Sequence, residues 1–370
     1  MSTEAKDFPI VPQRTREKLN NRQLTDYKTH RTSLVKWMLK LGRDPDRAIG
    51  YQPTTVRARC YHTDAFYNWV WDEDDQYTTH VTHEHANEYT RQLAFTDHSA
   101  THKTNLVKSV KMLFRWREWQ FGEKGAWNPP ITYARTETQT TPRDYLTRKE
   151  RQRLRDVSLE YGSVPHYNAV TPDERTRWKQ HLARRLGKPM HEIGPEEFNE
   201  ANSHKITSLI WTALDTGLRP IEVERASVSW IDPENALLRI PAEDSAKNTE
   251  HWHVSIREQT AQFLENWLQE RALIEKYDDT DTLWLTRHGN PYQSTSLKFV
   301  LHKLCEMADI PIENRQMTWY SIRHSVGTYM TREEGLAAAK SQLRHKSVNT
   351  TMKYDQTPVE DRRKALNRMG

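Results

Sequence analysis

Hydrophobic residues recur at three- and four-residue steps over much of this chain, the spacing that gathers side chains on one face of an α-helix. Leu24, Tyr27, Leu34, Met38 and Leu41 define a first helix, which Gly42 ends. Thr54 or Thr55 caps a second, whose apolar face holds Val56, Cys60, Phe66, Trp69 and Val70. A third is expected from about Thr82 to Phe95 and a fourth from about Ser99 to Phe121, with Leu106, Val110, Leu113 and Phe114 on one side and Lys108, Lys111 and Arg115 on another. Residues 1–20 are polar, carry Pro9 and Pro12, and read as an extended lead-in. Residues 21–125 are therefore expected to form a four-helix domain with a basic stripe.

Beyond that point the pattern breaks. From Gly125 to Tyr145, three prolines and five threonines leave little helical period, which places a linker at 126–144 and a second domain at 145–370. Thr147 to Glu150 has the form of a capping box, so the second domain opens with a helix. Residues 161–201 are charged and rich in Pro, Gly and His, with one helical piece around Glu174 to Leu186, and read as an insertion. An apolar-faced helix follows from Lys205 to Leu214 and ends at Gly217. Short strands are expected at 226–231, 236–240 and 251–256; Trp252, Val254 and Ile256 alternate onto one side of the last. Apart from 283–286, the remainder reads as helix, through to a tail at 355–370. The expected fold class is mainly α with a small antiparallel sheet, an α+β architecture.

Composition narrows the class. A chain of 370 residues with 13 Trp, 15 Tyr and 8 Phe can bury the cores of two domains, although 28% of its residues are charged. No apolar run approaches a membrane span, and the N-terminal residues lack the apolar stretch of a signal peptide, so a soluble, cytoplasmic protein with no membrane partner is expected. Cys60 and Cys305 match no metal or redox spacing and read as reduced thiols. The formal charge of +5 is mild and compatible with nucleic acid as a partner.

Gly-rich phosphate loops, dinucleotide fingerprints, HExxH and paired CxxC motifs are missing, and neither a cofactor nor a metal is expected. Asp72 to Asp75 reads as a solvated helix end, and His80, His83 and His85 lack a fourth ligand at a suitable spacing. Three other blocks carry the chemistry: Thr216-Gly217-Leu218-Arg219-Pro220-Ile221-Glu222, Trp319-Tyr320-Ser321-Ile322-Arg323-His324 and the run from Leu343 to Tyr354. The last resembles the LGHxSxxTTxxY signature of the tyrosine recombinase and phage integrase family, agreeing at Leu343, His345, Ser347, Thr350, Thr351 and Tyr354. The first resembles the family's TGLRxxE box and the second its HxLRH box, and all three stand in the family's order. Lys247, between the second and third expected strands, fits the family's lysine-bearing hairpin. Two departures bear on the chemistry: Tyr320 stands where most members have His, and Arg344 where the usual residue is Gly.

The resemblance implies an N-terminal SAM-like core-binding domain and a DNA breaking-rejoining catalytic domain. It implies strand cleavage through a 3′-phosphotyrosyl intermediate, with Tyr354 as nucleophile, Arg219, Arg323 and His345 as donors to the phosphate, and Lys247 as general acid. Glu222 would orient those donors, and Tyr320 would lie in the site without a defined role. The chemistry agrees with these residue types. Attack on a phosphodiester gathers negative charge on its oxygens, a guanidinium offers a permanently charged fork to them, and a phenol serves both as attacking and as leaving group. Double-stranded DNA is the implied partner, with four protomers on two sites, a tail that docks on a neighbouring protomer, and accessory DNA-bending proteins. The stripe Lys108, Lys111 and Arg115 is a candidate DNA contact, and the short lead-in is expected to leave no room for a further arm-binding domain. Two other readings stand beside this one: a type IB topoisomerase-like enzyme that relaxes DNA, and an inactive DNA-binding regulator.

Overall fold

The computed structural model describes residues 10–123, 125–133, 144–246, 250–355 and 358–369. The chain forms two compact units, residues 1–140 and 141–370. In the first, α1 (Gln13–Lys18), α2 (Asn21–Lys40), α3 (Pro53–Asp74), α4 (His83–Leu93) and α5 (Ala100–Phe121) surround one core. Helix α1 falls where the sequence reads as extended. It has no side-chain cap and forms because Thr15 is buried, its hydroxyl donating to Asp64 Oδ2 at 2.7 Å. Side-chain caps at Asn20, Thr82 and Ser99 start α2, α4 and α5 by accepting backbone N–H groups of the first turn. Tyr27, Leu34, Met38, Phe66, Val110, Leu113 and Trp116 fill the core, crossed by a polar seam in which buried Arg31 donates to Thr63 Oγ1 and to the Cys60 carbonyl, both at 2.7 Å. Trp127, within the expected linker, is also buried here and donates to Asn87 Oδ1 at 3.0 Å.

The second unit holds α6 (Arg148–Glu160), α7 (Pro172–Leu186), α8 (Pro195–Glu200), α9 (His204–Thr216), α10 (Pro220–Arg225), β1 (Ile231–Asp232), β2 (Leu237–Ile240), β3 (Trp252–Ser255), α11 (Glu258–Arg271), α12 (Ser294–Met307), α13 (Trp319–Gln342), α14 (Val348–Met352) and α15 (Val359–Met369). Every residue from Ile206 to Leu214 is buried, so α9 is the central helix, packed by α6, α11 and α13. The sheet runs β1-β2-β3, antiparallel throughout, with Ile231 opposite Leu238 and Leu238 opposite Val254. This is the mainly helical α+β class with one small sheet.

Of the strand expected at 226–231, only its last residue is in the sheet; residues 228–230 form a 3-10 turn. The segment pairs elsewhere: Ala226 O accepts from Leu283 N–H at 2.7 Å, and Val228 N–H donates to Asp281 O at 2.9 Å. Residues 161–201 carry a small core of their own, with Val164, Trp178, Leu182, Ile193 and Phe198. The two ends of this excursion meet: Val164 N–H donates to Ala201 O at 3.1 Å and Ser203 N–H to Gly162 O at 2.9 Å. Arg185 of α7 then reaches Glu270 of α11 at 3.2 Å. Helix α15 is tied to its own unit, Glu360 accepting from Tyr329 Oη at 3.0 Å and from Arg148 N–H at 3.0 Å.

Candidate active site

The site is assembled where α9 ends. Gly217 terminates that helix at φ 59, a left-handed conformation, and a Cβ there would lie 3.0 Å from Leu343 Cδ2 and 3.3 Å from Arg323 Cα. Glycine is thus required both by the turn and by the approach of α13. Two residues on, Arg219 stands at the N-cap of α10. The Glu222 carboxylate accepts the Arg219 backbone N–H at 2.7 Å and its Nη1 at 2.8 Å, so the same acid that starts the helix holds the side chain.

Arg323 enters from the second turn of α13 and is almost fully buried. Its Nη1 donates to Gly217 O at 2.7 Å, and its Nη2 bonds Leu343 O and lies 2.9 Å from His345 Nε2. His345 follows α13, its Nδ1 2.9 Å from Thr351 Oγ1 of α14. The Tyr354 ring lies parallel to the His345 ring at 5.8 Å and packs on Val326 and Leu343. Gly327 of α13 makes room for it: a Cβ there would sit 2.7 Å from Tyr354 Cγ. Arg219, Glu222, Arg323, His345 and Tyr354, spread over 136 positions of sequence, are therefore neighbours within one chain.

Arg344 joins them and was not a candidate from the sequence. Its backbone takes the left-handed φ of 56 that a glycine would favour, and its side chain turns into the site. Nε and Nη2 reach the two Glu222 oxygens at 3.2 and 2.8 Å, and Nη1 donates to Thr216 O at 2.9 Å. The available signal was the departure itself, a charged residue in the slot of a usual glycine. Thr351, buried against His345, was also missed as anything beyond a match to the signature.

Two guanidinium groups, those of Arg219 and Arg344, thus share one carboxylate, Arg323 adds its field from nearby, and the protonation states follow. Burial alone would raise the Glu222 carboxyl, but Arg344, then Arg219 and Arg323, hold it down at about 2. Burial, then Arg344 and Arg219, push Arg323 down to about 9, still charged at neutral pH. Burial, then Arg323, Arg219, Lys353 and Arg344, push His345 down to about 3, so its ring is neutral. A cavity of about 120 Å³ opens on this cluster, lined in part by Arg219, Arg344, His345, Ser245 and Ala246. Its walls carry the cations Arg219, Arg344 and Lys346 against one carboxylate, Glu222, a charge balance that favours an anion.

The remaining candidates are placed as follows. Tyr320 is exposed near the start of α13, its ring 6.3 Å from that of His324. Lys247 lies outside the described residues. Lys108 and Lys111 are exposed on α5 and Arg115 is half-buried; beside them Trp119 is exposed, whereas Trp116 belongs to the core. Among the described residues no group of three or more His, Cys, Asp or Glu is placed to hold a metal. Of the acidic run, Asp72 pairs with Lys18 at 2.8 Å and Asp74 with His85 at 3.4 Å; His80 lies 3.0 Å from Arg117, and the His83 ring packs edge-on against Phe114. Among the described residues no helix is long and apolar enough to cross a membrane.

A mainly helical second unit with a small sheet, in which arginines, a histidine and a tyrosine from distant parts of the chain come together, has the make-up of an enzyme of the tyrosine-type site-specific recombinase class. Residues 191–360, somewhat under half of the chain, match the phage integrase family. Among solved structures it is similar to the XerH site-specific recombinase bound to difH substrate in a pre-cleavage complex, at 15% identity over 95% of this chain and 88% of that one, with a TM-score of 0.56. The XerH post-cleavage complex with palindromic difH substrate matches at 15% identity, over 94% and 88% of the two chains, with a TM-score of 0.57. The Tn1549 transposon integrase in complex with a circular intermediate DNA matches at 13% identity, over 90% and 99%, with a TM-score of 0.51. At these identities the likeness is one of fold. No curated protein matches the chain by sequence.

Proposed function

We propose that this recombinase acts in the cytoplasm on double-stranded DNA, integrating, excising or resolving a mobile or viral element through a 3′-phosphotyrosyl intermediate. The observation that carries the reading is the stacking of Tyr354 on His345, which itself contacts Arg323, all on the same chain. In the step envisaged, Tyr354 Oη forms a bond to phosphorus as the P–O5′ bond breaks. The phenol gives up its proton to solvent, and Lys247 delivers one proton to the departing 5′ oxygen. Arg219, Arg323 and His345 face the two non-bridging oxygens, and Glu222 fixes Arg219. Rejoining is the reverse, with a 5′-hydroxyl of the partner duplex as attacking group. Tyr320, on the face of α13 that also bears Arg323, lines the approach to the site. Exchange between two duplexes calls for a tetramer of this chain with two DNA sites, with DNA-bending proteins as accessory factors.

The test is covalent trapping. A pool of nicked duplexes of random sequence, incubated with the protein in EDTA, should yield a protein–DNA adduct that can be sequenced for the target. Tyr354→Phe should abolish the adduct, and Arg219→Ala should lower its rate at least a hundredfold, the scale of losing one preorganised donor. An adduct that persists in Tyr354→Phe would refute the assignment.

A further inference from the structure

Arg323 and Thr351 make conflicting demands on the His345 ring. Arg323 Nη2 is 2.9 Å from His345 Nε2, and a guanidinium has protons only to give, so Nε2 meets it with its lone pair. The single proton of the neutral ring then sits on Nδ1 and points at Thr351 Oγ1, 2.9 Å away. Thr351 is fully buried, and among the described residues this is the one hydrogen bond its side chain makes, so the hydroxyl accepts while its own proton finds no acceptor there. The other tautomer would satisfy the hydroxyl, which could donate into Nδ1. It would also set Nε2–H against an Arg323 N–H.

An oxyanion resolves the conflict. An oxygen between Arg323 Nη2 and His345 Nε2 can accept from both, and the ring nitrogen can face it only as a donor if the proton is on Nε2. Charging the ring instead would add a positive group beside Arg323, Arg219, Arg344 and Lys353, the four cations that already oppose its protonation. Building on the recombinase reading, we propose that Thr351 is a positioning residue that sets the tautomer of His345. In the DNA-free protein it accepts from Nδ1–H; when a phosphodiester oxygen enters, it turns its hydroxyl to donate into Nδ1, and Nε2–H becomes a donor to the phosphate. The ring loses one proton at Nδ1 and gains one at Nε2 by exchange with solvent, with no net uptake. Hydroxyl groups suit this task because they can reverse a hydrogen bond without moving a heavy atom.

The test reads the ring directly. Protein labelled with ¹⁵N-histidine, with the His345 signals assigned by their loss in His345→Gln, should give the Nδ1–H pattern without DNA. Bound to a duplex recovered by covalent trapping, with Tyr354→Phe blocking the chemistry, it should give the Nε2–H pattern. Thr351→Val should slow cleavage by roughly 10–100-fold, the usual cost of losing a partner that orients a functional histidine, and Thr351→Ser should stay within about threefold of the parent. An Nε2–H ring in the free protein, an Nδ1–H ring in the complex, or full cleavage by Thr351→Val would each overturn the proposal. Failure of the wild-type protein to form any adduct would overturn the recombinase reading instead; the two failures are distinguishable because the free-protein tautomer is measured without DNA.

Discussion

A left-handed backbone costs a residue other than glycine about 1–2 kcal/mol, and Arg344 adopts one at φ 56. It does so because its guanidinium closes a buried ion pair with Glu222. Breaking such a pair costs about 3–5 kcal/mol, so Arg344→Gly, which also relieves the backbone, should destabilise the unit by roughly 2–3 kcal/mol, or about 5–10 °C in Tm. The pH dependence has a definite sign. Glu222 is held at about 2 against an ordinary 4.5, so its stabilisation is complete above pH 4.5 and is lost as pH falls through 2. Arg344 is the strongest attraction holding it there, so the gap between parent and Arg344→Gly should be widest near pH 7 and close towards pH 2. Urea unfolding at pH 7 and pH 3 checks this, and a gap independent of pH would contradict it. At this scale, Arg219, Arg323, His345 and Tyr354 were legible because their spacing matched a known signature. Arg344 and Thr351 were not, since the direction in which a turn throws a side chain, and what waits there, are tertiary facts.

Among the elements, caps were readable in part. Helix α3 begins at Pro53 behind Gln52 with no side-chain cap, rather than behind the expected Thr54 or Thr55, because Pro at the first helical position starts it. Two other ends were legible. Thr147 accepts from Glu150 N–H as its box predicted, and Gly217 ends α9 where the apolar pattern stops. The stretch at 226–231 has the composition of a strand, but its partners are residues 281–283, some fifty positions away, and no local pattern encodes a pairing of that range. Helix α13 poses a sharper case. In an ordinary helix, Gly→Ala gains about 1 kcal/mol. At Gly327 the added methyl would meet Tyr354 Cγ at 2.7 Å and Leu343 Cδ1 at 2.9 Å, so one of them must move. Gly327→Ala should keep the helix content measured by circular dichroism yet lower adduct formation at least tenfold through displacement of the phenol. Unchanged adduct yield would show that the ring does not depend on this contact.

Over the whole molecule the net charge of +5 is small, so attraction to a polyanion has to come from where the charges lie. The first unit exposes Lys108 and Lys111 on successive turns of α5, while in the site of the second Arg323 and Arg344 are buried and Arg219 is half-buried. If both lysines meet backbone phosphates, replacing each by Ala should reduce the dependence of log Kd on log salt concentration by about one and weaken binding to all duplexes alike. A slope unchanged in the double variant would assign the stripe to solvent. The division into compact units at 140/141 falls inside the proline- and threonine-rich break in the pattern. Within residues 161–201 the helix around Glu174 to Leu186 was legible and is α7, but the core was not, because one as small as Trp178, Leu182, Ile193 and Phe198 leaves only a faint periodicity in a charged sequence.

That excursion leaves and rejoins the domain at a single neck, where Gly162 and Ser203 lie side by side. Helices α6 and α9 are registered on each other by Thr207, whose hydroxyl donates to Ser158 O at 2.7 Å, outside the neck. Chain can therefore be spliced in, trimmed or exchanged at this point with the catalytic framework left standing; the forfeits include the grip of Arg185 on Glu270 and the packing against Leu273 and Ile274. The neck is a natural graft junction, a place where a recombinase can acquire a new appendage without rebuilding its chemistry.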